Sequence, residues 1–513
     1  MNSQTQRRVY ALLFGAALIG AFALPSRSIG ADYASAPSPG SSLGSYSSVL
    51  PGYSEDSVGS YGVVGEPEQV GVASDGVLTG GVPELEDLQK QLDELRASSE
   101  RLKSDFEAEK KKNKKEPKVN DPFTMKLSGH VSVDTALVSE DEAGREQLGN
   151  VQNSFSMRDL RVTMKGSGYG HLDYMFGFGV CGSSISLKDA YLKLKDTAYF
   201  GDVQVGHYFV ESGMESVQAT FERVFVSLDE TSAMYSLYRR LGVSSTYFGA
   251  DKRTRAFFGV FLGPSLSSSP HYGCENDPGL VLNARLTAAP ICAIDEDGFA
   301  REVLHVGGST YWFSPGGESK LRLRTRGQMW NGSNPYFFDG VVSLADTSYS
   351  MSQVETAYQI GGFAASGEGY FLNVYDGGGT AYGTSVVARL FLTPNCTRTY
   401  SKDKGRFGTI KMPEEAVFLN YKDRILGQHW GALEVVGKWE WAETTGLKNV
   451  IPASGGNTTG VVTRTVAGAN WFWNEQAFLA ANWEHAWATP RKAEKRLDTC
   501  EFDTLTLQMT FRF

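Results

Sequence analysis

Long hydrophobic runs are almost absent from this chain. After the apolar stretch between residues 9 and 24, no run of about 18 apolar residues occurs. This excludes further membrane-spanning helices and agrees with an apolar content of only 41%. The formal net charge of −9 provides no basic surface suited to nucleic acid.

Cysteine, histidine and recognisable catalytic motifs are also scarce. The five cysteines are scattered, with no Cys-x-x-Cys pair, so we predict neither a metal nor a cofactor. Cys274 and Cys292 could form a disulfide within one loop, or serve as small buried residues. The seven histidines fit neither G-x-S-x-G nor H-E-x-x-H, so we do not expect an enzyme.

Glycine and aromatic residues are plentiful instead, with 57 glycines and 12% aromatics. This composition is typical of a β-barrel with many turns and aromatic girdles. The last segment alternates strictly, and its apolar positions are Leu505, Leu507, Met509, Phe511 and Phe513. A half-buried strand of a soluble sheet would alternate similarly. The terminal Phe513 resembles the assembly signal of Gram-negative outer-membrane barrels.

The first 121 residues contain no such alternation. Arg7, Arg8 and the apolar run predict a signal peptide over 1–31. Residues 32–82 are rich in Ser, Gly, Pro and Tyr and are predicted to be flexible. Residues 83–112 predict a coiled-coil helix that associates with copies of itself, or an isolated helix lying on the barrel. The predicted coiled-coil core is Leu85, Leu88, Leu92, Leu95, Leu102 and Phe106. A basic linker, 113–121, follows and could touch cell-wall polymer or lipid head groups.

From residue 122 to residue 513 the chain is predicted to be one all-β transmembrane antiparallel barrel. Units of about ten residues alternate between apolar and polar positions and are separated by turns. The segment holds 513 − 121 = 392 residues. At roughly 24 residues per strand and connection it predicts about 16 strands. Barrels of this size leave an aqueous channel.

Several motifs within this region resemble the phosphate-selective porin O and P family. The motifs are Lys188-Asp189-Ala190-Tyr191, Val205-Gly206-His207-Tyr208, Thr220-Phe221-Glu222-Arg223, Leu304-His305-Val306-Gly307, Gly405-Arg406-Phe407 and Ala469-Asn470-Trp471. The resemblance implies an outer-membrane trimer of 16-stranded barrels that passes small hydrophilic or anionic solutes. It also implies a third loop, roughly 208–240, folded into the lumen, with Arg223, Arg239 and Arg240 at the constriction. That segment has five acidic residues against these three arginines, a poor match to a phosphate filter.

Lysines and arginines that recur at every second residue of predicted strands predict the lining of an anion path. If Leu321 and Leu323 face lipid, the arginines between and after them must face the lumen. The predicted lining residues are Arg322, Arg324, Arg326, Lys193, Lys195 and Arg161. The arginines could instead pair with neighbouring acidic residues and stiffen the barrel. The sequence thus predicts a diffusion pore with some anion preference, and the alternative is a structural anchor with a coiled-coil tether.

Overall fold

The computed structural model describes residues 123–181, 184–249, 251–262, 279–316, 320–325, 336–344, 347–413, 416, 430–453, 456–492 and 495–513. The predicted signal peptide, flexible segment, coiled-coil core and basic linker lie outside these ranges, as does Arg326.

Twenty-two strands make up most of the described chain. They are β1 (Lys126–Glu140), β2 (Ser154–Gly168), β3 (Leu172–Cys181), β4 (Ser184–Thr197), β5 (Gly201–Phe209), β6 (Arg239–Phe248), β7 (Thr254–Leu262), β8 (Gly279–Ile294), β9 (Ala300–Pro315), β10 (Lys320–Thr325), β11 (Phe338–Ser343), β12 (Tyr349–Ile360), β13 (Phe363–Val374), β14 (Gly379–Phe391), β15 (Thr397–Ser401), β16 (Arg406–Lys411), β17 (Ala432–Glu443), β18 (Val450–Pro452), β19 (Thr459–Phe472), β20 (Ala477–Lys492), β21 (Lys495–Arg496) and β22 (Cys500–Arg512).

Two short α-helices accompany the strands: α1 (Glu142–Leu148) and α2 (Glu230–Tyr235), and a 3₁₀ turn covers Thr220–Glu222. None of the helices in the described part of the chain has the length and apolar character needed to cross a bilayer.

The largest sheet closes on itself, because β1 pairs with β2 on one side and with β22 on the other. This sheet has 17 strands, one of which is the two-residue β21, so 16 strands form the wall. The pairings along the wall are antiparallel, including the closing pair His130↔Arg512. The predicted 16-stranded antiparallel barrel is confirmed.

The wall strands expose their apolar face on the outside. In β22 the side chains of Leu505, Leu507 and Met509 are exposed, whereas those of Thr504 and Thr506 are buried. A soluble sheet would cover the apolar face and expose the polar one. The inverted arrangement is that of a barrel whose outer surface contacts lipid and whose polar residues face the interior.

Two connections depart from simple turns, and described parts of both lie in the interior. We call the end at which β1 begins and β22 ends the terminal end, and the other end the loop end. Residues 210–238 connect β5 to β6 at the loop end, and residues 392–431 connect β14 to β17 at the terminal end. The second connection contains the separate β15–β16 hairpin.

Strand β10 is not a wall strand, which corrects one prediction. It pairs with β11 in a three-stranded sheet with β18, at the loop end. Leu321 and Leu323 are only 1% and 3% exposed, because protein rather than lipid covers them. The premise that placed Arg322 and Arg324 on the wall is therefore wrong, and their part in an anion path stays a prediction.

The proposed Cys274–Cys292 disulfide is also corrected. Cys292 lies in wall strand β8 near the terminal end, opposite Val303 of β9, and has a free thiol. It does not share a loop with Cys274, which lies outside the described ranges.

Candidate functional site in the barrel interior

The β5–β6 connection, residues 210–238, crosses the interior from one wall to another. It hydrogen-bonds to or ion-pairs with inward side chains of seven wall strands. These contacts are Glu211 with Arg255 and Arg285, Glu215 with Glu368, Asp229 with Lys438, Glu230 with Arg464, Val226 with Asn482, and Thr220 with Asp159. The segment therefore divides the lumen, as a constriction loop does.

Acidic residues of this loop attach it to cations on the wall. Both carboxylate oxygens of Glu211 accept from Arg255, at 2.6 and 2.7 Å, and one also accepts from Arg285 at 3.2 Å. Burial disfavours the charged form of Glu211, but the two guanidiniums outweigh it and lower the pKa of this carboxyl. Asp229 accepts a 3.0 Å hydrogen bond from the buried Lys438. The excess of acids over bases in the loop thus has a structural reason.

The predicted constriction arginines lie at or near the ends of this loop. Arg239 and Arg240 begin strand β6. Arg239 donates through Nε and Nη2 to the two oxygens of Asp189, at 3.0 and 2.8 Å. Arg240 is fully buried beside the ring of Phe313. Arg223 follows the 3₁₀ turn and is buried. Their constriction role remains a prediction.

The β15–β16 hairpin enters the interior from the terminal end. Arg398 donates to both oxygens of Glu434 on β17, at 3.0 and 2.6 Å. The hydroxyl of Tyr400 lies 2.8 Å from Nδ1 of His305 on β9. Arg285 on β8 donates to the carbonyls of Lys404 and Gly405, at 3.1 and 2.8 Å. These contacts fix the hairpin tip against the wall.

Gly405 is required at this tip for two reasons. Its φ is +56°, a left-handed conformation that non-glycine residues adopt at a cost. A Cβ at this position would lie 2.5 Å from the hydroxyl of Thr287. The close approach to β8 therefore depends on the missing side chain.

The hairpin and the loop meet inside the barrel. Arg406 and Glu222 form an ion pair of 2.7 Å. Arg398 also donates to the carbonyl of Glu222, at 2.7 Å. Connections from opposite ends of the barrel are thus joined by charged contacts. Gly405-Arg406-Phe407 is one of the motifs that resemble the family, but the sequence did not predict that this segment lies in the lumen.

The lysines and the arginine predicted to line the wall do lie on wall strands. Lys193 and Lys195 alternate with the exposed Leu192 and Leu194 along β4. Lys193 pairs with Asp202 at 2.8 Å and Lys195 with Asp173 at 2.9 Å. Arg161 on β2 pairs with Asp159 at 2.9 Å. The structure places these cations on the polar face together with carboxylates, and their transport role stays a prediction.

A second group of lysines has no carboxylate partner among the described contacts. Lys126 and Lys165 lie directly opposite each other on β1 and β2. Facing like charges destabilise a strand pair, so this pair carries a cost. Lys404 is exposed at the hairpin tip. The nearby guanidinium of Arg406 and the ammonium of Lys165 lower the pKa of the Lys404 ammonium, although Glu222 and Asp189 act in the opposite direction. Positive charge is therefore concentrated between the hairpin tip and the β1–β2 wall.

A small cavity of about 30 Å³ separates the loop from the β13–β14 wall. Glu215, Gln218 and Glu368 are among the residues that line it. Burial and the neighbouring Asp229 raise the pKa of the Glu215 carboxyl to about 8, although Arg223 acts in the opposite direction. The raised pKa favours the protonated, uncharged form of Glu215.

No cluster of three or more metal-ligating side chains occurs among the residues that the structure describes.

Comparisons with known proteins agree with this architecture. The family model described as phosphate-selective porin O and P matches residues 137–513. Among curated protein sequences, none matches the chain.

Several solved outer-membrane proteins are similar to this chain at TM-scores below 0.5. OmpT of Vibrio cholerae, in a trimer form, is 10% identical with a TM-score of 0.44, over 77% of this chain and 100% of that one. An anion-selective porin from Comamonas acidovorans is 12% identical with a TM-score of 0.45, over 76% and 100%. The channel DcaP of Acinetobacter baumannii is 11% identical with a TM-score of 0.43, over 76% and 97%.

Proposed function

We propose that this channel prefers anions, from the premise that the chain belongs to the phosphate-selective porin O and P family. The family match covers 377 of the 513 residues, from 137 to 513. As a member, the protein is a porin of the Gram-negative outer membrane. What we propose beyond that is the preference for small hydrophilic anions over cations.

The observation that carries the proposal is a group of lysines that form no ion pair with a carboxylate among the described residues. Lys404 presents its ammonium group at the hairpin tip, and Lys126 and Lys165 present theirs on the β1–β2 wall, where Lys165 acts electrostatically on Lys404. A positive potential in a water-filled path lowers the barrier for anions and raises it for cations. The neighbouring interior cations are largely balanced by carboxylates, so the preference is expected to be moderate.

The test is the reversal potential of the purified protein in planar bilayers under a salt gradient. An anion-selective channel gives a potential with the sign of the chloride equilibrium potential. Charges in a wet lumen are screened over about 8 Å at physiological salt, so the preference weakens as salt rises. A cation-selective or unselective channel would overturn the proposal. Absence of current would instead favour the structural-anchor alternative.

We also propose that the protein is a homotrimer, supported by the heptad positions between Leu85 and Phe106. Three short helices that are each marginal alone become stable when their apolar faces meet. The variant Leu92→Asp/Leu95→Asp is expected to separate the helices and leave the barrels folded. The mass in detergent gives the oligomeric state of the wild type, of this variant and of the control Glu94→Gln. A monomeric wild-type protein would contradict the trimer.

A further inference from the structure

We infer that the channel selects anions by charge through lysines and does not coordinate phosphate through arginines. The inference rests on the proposed anion preference and specifies which side chains produce it. It departs from what the family description suggests for the preferred solute.

The interior arginines are bound to carboxylates. Pairs are formed by Arg158 with Asp134, Arg161 with Asp159, Arg239 with Asp189, Arg255 with Glu211, Arg285 with Glu355, Arg389 with Glu434, Arg398 with Glu434, Arg406 with Glu222 and Arg464 with Glu484. In the small sheet at the loop end, Arg322 pairs with Asp339.

Several of these pairs use the two-pronged geometry that a phosphate would need. Arg239, Arg255 and Arg398 each donate through two nitrogens to two oxygens of one carboxylate. Arginine recognises phosphate in the same bidentate manner. A phosphate ion would have to displace the carboxylate, which would leave a buried negative charge without its partner. These guanidiniums therefore hold the wall, loop and hairpin together.

Burial limits the access of solutes to the guanidinium groups of other arginines. Arg240 and Arg324 are buried, and so is Arg223. The guanidinium of Arg512 lies 4.0 Å from the ring centroid of Phe221. The first three therefore present no exposed guanidinium to a passing solute, and the guanidinium of Arg512 lies over an aromatic ring.

Lys404 differs from the arginines in exposure and in its contacts. Its side chain is exposed, and its backbone carbonyl is held by Arg285. The ammonium therefore projects from a fixed point and forms no ion pair with a carboxylate among the described contacts, although Glu222 and Asp189 act on its charge from a longer distance. An ammonium is a compact, strongly hydrated point charge, so it attracts chloride and phosphate without selecting their shape.

The first test compares the two anions on the full-length protein in planar bilayers. Inorganic phosphate is added to channels that conduct chloride, and the chloride current is recorded. We expect half-block only above about 1 mM phosphate, the weak range of binding affinity. Half-block at micromolar phosphate would overturn the inference, whether or not the channel prefers anions.

The second test addresses Lys404 itself. We expect Lys404→Gln to lower the anion-to-cation permeability ratio by up to about fivefold, because one charge acting through water at 4 Å is worth that factor. Lys404→Arg keeps the charge and should keep the ratio. Lys448→Gln removes an exposed lysine of the β17–β19 connection and is the matched control.

The readouts separate the inference from the proposed function. The sign of the wild-type reversal potential tests the anion preference, and the shift caused by Lys404→Gln tests the lysine. A shift equal to that of Lys448→Gln would reject Lys404 and leave the preference standing. Because the Lys404 side chain is exposed, we expect each variant to fold. Circular dichroism of each variant checks that the barrel is folded.

Discussion

Two segments of this chain have nearly the same pattern and lie in different surroundings. Leu192-Lys193-Leu194-Lys195 belongs to wall strand β4, and Leu321-Arg322-Leu323-Arg324 belongs to β10 in the small sheet. Leu192 and Leu194 are 50% and 49% exposed, whereas Leu321 and Leu323 are 1% and 3% exposed. Alternation therefore identifies a strand with one apolar face. It does not show whether lipid or protein covers that face.

The largest expected effect concerns the outward face of the closing strand. Phe513 is exposed at the end of β22, and its backbone pairs with Gly129 of β1. We expect Phe513→Asp to lower the amount of barrel in the outer membrane several-fold, because a charge is introduced on the lipid-facing row. Phe513→Tyr, the control, should assemble normally. Equal membrane levels of the two variants, measured by fractionation and immunoblotting, would contradict this assignment.

The second-largest expected effect is a difference in stability between variants in which a leucine of one or the other segment is replaced. Leu323→Ala is expected to destabilise the small sheet by about 2–5 kcal/mol, since it removes buried carbons and leaves a cavity. Leu194→Ala should cost only about 1–2 kcal/mol, because lipid chains refill the space. Amide hydrogen exchange of β10 and β4 in vesicles measures both. Faster exchange in β4 than in β10 would reverse the comparison.

A smaller effect is expected for the cations of the two segments, whose removal should shift the reversal potential by different amounts. Lys193→Gln/Lys195→Gln leaves Asp202 and Asp173 in the wet lumen, so the reversal potential should move toward cations. We expect a change of at most about fivefold in the permeability ratio. Arg322→Gln/Arg324→Gln should shift it less, because these arginines lie in the small sheet at the loop end and not on the wall of the barrel. An equal or larger shift from the arginine variant would support an anion path through the small sheet.

The smallest expected effect is a pH dependence of stability and of anion preference that arises from Glu215 in the loop. Protein encloses Glu215, as it does Leu323. The pKa of Glu215 is about 8 in the folded protein, against an ordinary value of 4.5. The folded state holds the extra proton between these values, so the contribution of Glu215 to stability falls as pH rises from 4.5 to 8. Above pH 8 its ionisation adds a negative charge, and the anion preference should decrease. Reversal potentials at pH 6 and pH 9 measure this change, and Glu215→Gln should remove its part.

Strand length would have distinguished the two segments. A spanning strand needs about nine residues or more, and β4 has 14 residues whereas β10 has six. The alternation predicted the barrel, its outward face and the approximate strand number, because these follow from local periodicity. The infolded loop was implied by the family resemblance, and the polar contacts show where it lies.

The β15–β16 hairpin was not predicted. Its strands have only five and six residues. Its position depends on contacts with distant residues, such as Arg398 with Glu434 and Gly405 with Thr287. Local periodicity contains no information on such contacts. The length of the 392–431 connection was the available signal.

The Arg406–Glu222 pair has a mechanical consequence. It links a connection that enters at the terminal end to one that enters at the loop end. Both connections are also attached to wall strands, so a displacement at one mouth can reach the other mouth through this ion pair as well as through the wall. A change at Glu222 would break the direct route between the two mouths and leave the route through the wall.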